Sequence, residues 1–155
     1  MYTRKEQFML KALNQANLAY RKGETPVGAI IVKDGKIIAR GHNLKETKND
    51  VTSHAEIEAI RKAAKKLGTW RLDGCEMYVT LEPCPMCAGA IIQSRISTLF
   101  IGAMDKRAGA AGSVVDLFRV QQFNHRVDVV LGLLFEECGE ILKSFFEKVR
   151  SENMK

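Results

Sequence analysis

Two short segments, His54-Ala55-Glu56 and Pro83-Cys84-Pro85-Met86-Cys87, constrain this chain more than anything else in it. One imidazole, two thiols and a carboxylate are the donor set of a hydrolytic zinc site. His54, Cys84 and Cys87 fill three tetrahedral positions and leave the fourth for water. Water held there has a pKa of about 7, so hydroxide is available at neutral pH. Glu56 can then carry protons between that water and a substrate. For this to work the fold must bring the two segments together, and both fall where a helix begins. Pro85 suits the first turn of a helix, where no amide partner is needed. Cys84 and Cys87 are three apart and share a helix face. A helix N-terminus favours the thiolate, the form that binds metal. One helix therefore delivers two sulfurs and another a nitrogen.

The rest of the chain reads as helices and strands in alternation. Phe8, Met9, Ala12, Leu13, Ala16, Ala19 and Tyr20 recur at helical spacing, and Gly23 stops that helix. Val27 to Val32 suits a buried strand. Lys33-Asp34-Gly35-Lys36 is a hairpin turn, and Lys36 to Gly41 is the returning strand. A second helix runs from near His54 to about Leu67, and a third strand from Glu76 to Leu81. The Pro85 helix reaches about Ser94, and a fourth strand spans Ile96 to Gly102. A Gly/Ala-rich loop, Ala103 to Ser113, follows. Val127 to Leu131 is the fifth strand, and a last helix spans Leu133 to Arg150. This order implies one central sheet with helices on both faces.

Each motif has a plainer reading. Alone, Cys84 and Cys87 fit a redox dithiol or half of a structural zinc knuckle. No second C-x-x-C completes a closed four-ligand site. Ser53-His54-Ala55-Glu56 fits a capping box, in which Glu56 merely bonds the backbone of Ser53. The joint occurrence of both segments favours the catalytic reading. Cys75 and Cys138 lack ligand spacing and read as small packed residues. His42 and His125 read as ordinary polar residues.

At 155 residues the chain is expected to form one domain, residues 1–155. No apolar run approaches the roughly 18 residues of a membrane span, and the N-terminus lacks a signal peptide's apolar core. A cytoplasmic protein is the expectation. The net charge of +6 is compatible with a polyanionic partner such as RNA.

The paired segments are the signature of zinc nucleobase deaminases, and the chain resembles the cytidine deaminase-like superfamily over nearly its whole length. Within it the similarity is strongest to the bacterial tRNA-specific adenosine deaminases. It runs through Pro26-Val27-Gly28-Ala29, Gly41-His42-Asn43, His54-Ala55-Glu56-Ile57 and Tyr78-Val79-Thr80-Leu81-Glu82-Pro83-Cys84. It continues through Met86-Cys87-Ala88-Gly89-Ala90, Ser94-Arg95-Ile96, Gly109-Ala110-Ala111-Gly112-Ser113, Asn124-His125-Arg126-Val127 and Glu137-Cys138. The zinc motif is common to the superfamily. The segments 109–113 and 124–127 are selective for the tRNA enzymes.

The resemblance implies an α/β fold, a three-layer α/β/α sandwich on a central five-stranded mixed sheet, assembled as a homodimer. It implies conversion of adenosine to inosine at the first anticodon position of tRNA. One Zn2+ per subunit would be bound by His54, Cys84 and Cys87, with Glu56 as proton shuttle. Asn43 matches the family's base-contacting amide and Val27 part of its pocket wall, although Asn43 also reads as a turn residue. Lys106, Arg107, Lys143, Lys148 and Arg150 are candidates for contacts to the anticodon stem-loop; each also reads as a solvated surface charge. Guanine deaminases, in which P-C-P-M-C is also common, are the nearest alternative. A noncatalytic zinc-dependent RNA-binding module is the other, and would have no use for Glu56 or an open coordination position. Ala88, Ala90, Ile91 and Ile92 spread around the third helix, and this points to that helix as part of a dimer contact.

Overall fold

Alternation along three strands sorts side chains onto two sheet faces, and each face is buried by its own pair of helices. The computed structural model describes residues 1–153. Its elements in chain order are α1 (Arg4–Arg21), β1 (Gly28–Lys33), β2 (Lys36–His42), α2 (Lys45–Lys48) and α3 (Ala55–Leu67). Then come β3 (Cys75–Leu81), α4 (Pro85–Gln93), β4 (Thr98–Ala103), a 3-10 turn at Leu117–Arg119, β5 (Asp128–Leu131) and α5 (Phe135–Asn153). The five strands form one sheet in the order β2-β1-β3-β4-β5. β1 is antiparallel to β2 and β3, whereas β3, β4 and β5 run parallel.

Ala29, Ile31, Met77, Val79, Leu99 and Ile101 face the layer made by α3 and α4. Their neighbours Ile30, Val32, Tyr78 and Phe100 face α1 and α5. This period of two is what a sheet buried on both faces produces. The result is the expected α/β/α sandwich on a mixed sheet. On the second face Tyr78 stacks on Phe100 with ring centroids 4.4 Å apart. The β1–β2 hairpin turns through Asp34 and Gly35, both with positive φ (51° and 75°), as a two-residue turn between right-twisted strands requires.

The expected elements are present with ends shifted by up to three residues. α2 and the 3-10 turn were not expected. α2 is only four residues long and has no apolar periodicity to announce it. Cys75 and Cys138 are buried and unpaired, in keeping with a packing role.

Two local readings need correction. The first is the dimer argument from α4. Ala88, Ile91 and Ile92 are already buried within the protomer, so the apolar circumference of α4 is largely covered by its own sheet and by α3. The second is the capping box. Such a box does exist, at α1, where the Thr3 hydroxyl accepts from the Glu6 amide and the Glu6 carboxylate accepts from the Thr3 amide. At α3 the N-cap is His54, one residue later than the Ser53 box needs, and no side chain caps the helix. His54 itself holds the extended backbone (φ −74°, ψ 158°). Glu56 thus becomes the second helical residue, free of any capping duty.

Candidate active site

Two helices start at one place. His54 is the N-cap of α3 and Cys84 the N-cap of α4, with Pro85 in its first turn and Cys87 one turn in. The approach of α3 to the sheet depends on Gly41 in β2. A Cβ there would come within 2.5 Å of the Ala55 carbonyl and 2.6 Å of the Ala59 amide nitrogen. Only glycine lets the first turn of α3 lie against the strand and carry His54 to its position.

His54 Nδ1 lies 3.6 Å from Cys84 Sγ and 3.5 Å from Cys87 Sγ. The three donor atoms all fall within 4.8 Å of one another, close enough to share one metal ion. Their protonation reflects that crowding. The hydrogen bond from Cys87, with His54 alongside, draws Cys84 down to about 4 against the effect of burial. The same bond, reinforced by burial, pushes Cys87 up. His54 is raised by its contact with Cys84. Glu56 is 3% exposed, and burial raises its carboxyl to about 7. A carboxyl poised near neutrality can both accept and deliver a proton at working pH.

The site opens into a cavity of about 510 Å³ reached by His54, Glu56 and Cys84. Val27 and Asn43 form part of its wall. The Asn43 side chain is oriented at both ends: Nδ2 donates to the Thr25 carbonyl (3.2 Å) and Oδ1 accepts from the Lys45 amide (3.1 Å). The turn role and the wall position therefore coexist in one residue. Five carboxylates, Glu24, Glu46, Glu56, Glu82 and Asp105, line the cavity beside a single cation, Lys45.

None of the five basic candidates lines the cavity. Lys106 and Arg107 are exposed at the tip of the loop between Asp105 and Ala108, both of which do line it. Lys143, Lys148 and Arg150 are exposed on α5, which contributes Phe145 and Val149 to the wall. Lys148 Nζ stands 5.5 Å over the ring of Tyr20. His42 bridges Lys22 and Gln15, and His125 bonds the Ile96 carbonyl, so neither belongs to the site.

Sequence reasoning missed two buried carboxylates that build the walls. Glu24, 1% exposed, accepts from the amides of Glu46 and Thr47 and so seats α2. Glu82, 2% exposed, accepts from the amides of Asp105, Ala111 and Ser113 and from the Ser113 hydroxyl. Burial alone would raise both carboxyls, but these hydrogen bonds together hold both below the ordinary value of 4.5. A glutamate at the end of an apolar strand was the available signal for Glu82. Nothing in the pattern indicated that the loop 105–113 would fold onto it.

A His/Cys/Cys cluster at two helix starts with a buried carboxyl beside it is the arrangement that zinc nucleobase deaminases use. The family model for MafB19-like deaminases matches residues 3–150. The tRNA-specific adenosine deaminase of Bacillus subtilis is 48% identical over 97% of this chain and 93% of its own length. A solved structure from work on A-to-I editing by tRNA:A34 deaminases superposes with a TM-score of 0.85, at 48% identity, covering 88% of this chain and 99% of that one. A guanine deaminase structure from Bacillus subtilis matches with a TM-score of 0.62 and 49% identity over 64% of each chain. The chain belongs to the tRNA-specific adenosine deaminase family.

Proposed function

We propose that this chain hydrolyses adenosine to inosine at the first anticodon position of tRNA. The deamination chemistry rests on the cavity where two helix N-termini present His54, Cys84 and Cys87 beside the buried Glu56, and the tRNA substrate is supported by 48% identity to a tRNA-specific adenosine deaminase over 97% of the chain. Zinc fits the donor set. With Zn–S of about 2.3 Å and Zn–N of about 2.0–2.1 Å, a tetrahedral ion separates nitrogen from sulfur by about 3.5 Å. The separations here are 3.5 and 3.6 Å. His54, Cys84 and Cys87 would hold the ion, one per chain, and no fourth His, Cys or carboxylate joins the cluster among the described residues. When bound, zinc supplies Lewis acidity that lowers the pKa of water to about 7.

The remaining steps fall to the chain's own residues. Glu56 accepts the proton of the attacking water, passes it to ring N1, and assists departure of the C6 amino group as ammonia. Asn43, held by Thr25 and Lys45, presents its amide to the base edge, and Val27 packs against the ring. The base must leave the loop stack to reach this depth, and a single-stranded anticodon loop makes that less costly than a duplex would. Phosphates rest outside the acidic cavity, near Lys106 and Arg107 on one side and Lys143, Lys148 and Arg150 on the other. We also infer that residues 1–155 act as one domain, that the enzyme is a homodimer, and that it works in the cytoplasm. In support of the last, no helix among the described residues is long and apolar enough to cross a membrane.

Product analysis on three substrates tests the reading: an anticodon stem-loop with adenosine at its first anticodon position, free adenosine, and guanine. Inosine forms in the stem-loop far faster than from free adenosine, because the RNA loop positions the base. Comparable turnover of guanine would replace this reading with that of the guanine deaminases. Sedimentation at micromolar concentration checks the dimer; a fully active monomer would refute it.

A further inference from the structure

Beyond the reacting groups, one side chain links the metal-bearing segment to the opposite wall of the cavity. Glu82 follows β3 and precedes Pro83-Cys84. Its carboxylate points into the loop 105–113. Oε1 accepts from the Asp105 amide (2.8 Å) and the Ser113 hydroxyl; Oε2 accepts from the amides of Ala111 (2.8 Å) and Ser113 (3.1 Å). The backbone reinforces the link, because the Ala110 amide donates to the Pro83 carbonyl and the Glu82 amide to the Ala103 carbonyl, both at 2.8 Å. Gly109 has no room for a side chain: a Cβ there would land on the Glu82 carboxylate. The loop is thus wrapped around one carboxylate. Asp105 Oδ1 then accepts from the amides of Arg107 and Ala108, which shapes the tip that carries Lys106 and Arg107.

We propose that Glu82 is a positioning residue for the RNA substrate: it fixes the loop 105–113, and with it Lys106 and Arg107, at a set distance from the Cys84 end of the site. A buried acceptor serving four donors cannot be replaced without leaving donors unsatisfied. Glutamine keeps the shape but turns one acceptor oxygen into a donor that faces donors. The loop then loses its reference to the metal segment while His54, Cys84 and Cys87 keep their own supports in α3 and α4. This inference rests on the tRNA reading.

The test compares wild type with Glu82→Gln, Ser113→Ala, Lys106→Ala/Arg107→Ala and the combination of Glu82→Gln with the double alanine. Each is assayed for zinc content, single-turnover deamination of the stem-loop, and stem-loop binding across a salt series. Glu82→Gln is expected to retain one zinc per chain and to bind about tenfold more weakly. The slope of log Kd against log salt should shrink by about 0.7 for each phosphate that the loop no longer neutralises. Ser113→Ala should move the same way by less, and it decides the matter if Glu82→Gln does not fold. In the combined variant the effects should be far from additive, since both changes act on the same phosphates. An unchanged salt slope in Glu82→Gln and Ser113→Ala, or full additivity, would overturn the proposal. A wild type that deaminates the stem-loop while Glu82→Gln binds it equally tightly removes this inference alone. A wild type inactive on the stem-loop removes the tRNA reading and this inference with it.

Discussion

Glu56 and Glu82 flank the same pair of helix starts and are almost equally buried, at 3% and 2% exposed, yet their surroundings treat them in opposite ways. Glu56 faces the cavity from the first turn of α3, and burial lifts its carboxyl to about 7. Glu82 faces four donors, and its carboxyl stays below the ordinary range despite burial. Burial by itself disfavours the charged form, and donors restore it. One carboxylate is left free to exchange a proton; the other is tied down and holds a loop. The same residue type is left able to exchange a proton in one place and is held as an anchor in the other, and the donors pointed at it decide which.

Substitutions can break this comparison, beginning with the His54, Cys84 and Cys87 cluster beside Glu56. Cys87→Ala removes a donor, so zinc content should collapse and deamination fall to background; metal analysis of the purified variant is the check. Full zinc occupancy without Cys87 would refute the three-ligand site. Glu56→Ala comes next. Zinc and fold should be retained, while single-turnover deamination falls roughly 10²–10⁴-fold, the range for general acid–base catalysis. Because Glu56 makes no cap bond, the melting temperature should hold. A less stable protein with near-normal turnover would restore the capping role and remove Glu56 from the mechanism.

The Glu82 side is probed by Gly109→Ala, which drives a methyl group into its carboxylate. Overpacking of this kind costs about 1–3 kcal/mol, or about 2–4 °C of melting temperature per kcal/mol at this chain length. A melting temperature equal to wild type would mean the loop is looser than its hydrogen bonds indicate.

The last contrast is in the pH dependence of stability, whose sign differs between the two carboxylates. Glu82 has a lowered value, so its contribution is complete above 4.5 and lost as pH falls through its folded value. The deficit of Glu82→Gln relative to wild type should therefore narrow below pH 4.5. Glu56 has a raised value, so in chelated, metal-free protein its contribution is lost as pH rises from 4.5 through about 7. Glu56→Gln should gain on wild type across that window and then level off. Parallel stability curves for the two variants would erase the distinction.

The legibility of the two sides differs for a physical reason. Helix starts and strand alternation are local: a proline, a periodicity or a short spacing announces them, so the β1–β2 hairpin, α3, α4 and the set His54, Cys84, Cys87 and Glu56 could be read in order along the chain. Whether Glu56 caps its own helix was already less local. It turned on a one-residue shift of the N-cap from Ser53 to His54. The apolar spread of α4 misled because residue type reports that a surface is covered and not what covers it. Here it is the chain's own sheet and α3.

The candidate ligand motifs, the helix placement and the α/β/α layering belong to the amino-acid sequence, because each is announced by spacing or periodicity within a few positions. The cavity walls belong to the tertiary structure. α2 exists because the Glu24 carboxylate meets the amides of Glu46 and Thr47. The loop 105–113 holds its shape because Glu82 accepts from donors more than twenty positions away. A buried carboxylate's role depends on which donors surround it, and that is decided only when the sheet has brought the ends of β3 and β4 side by side.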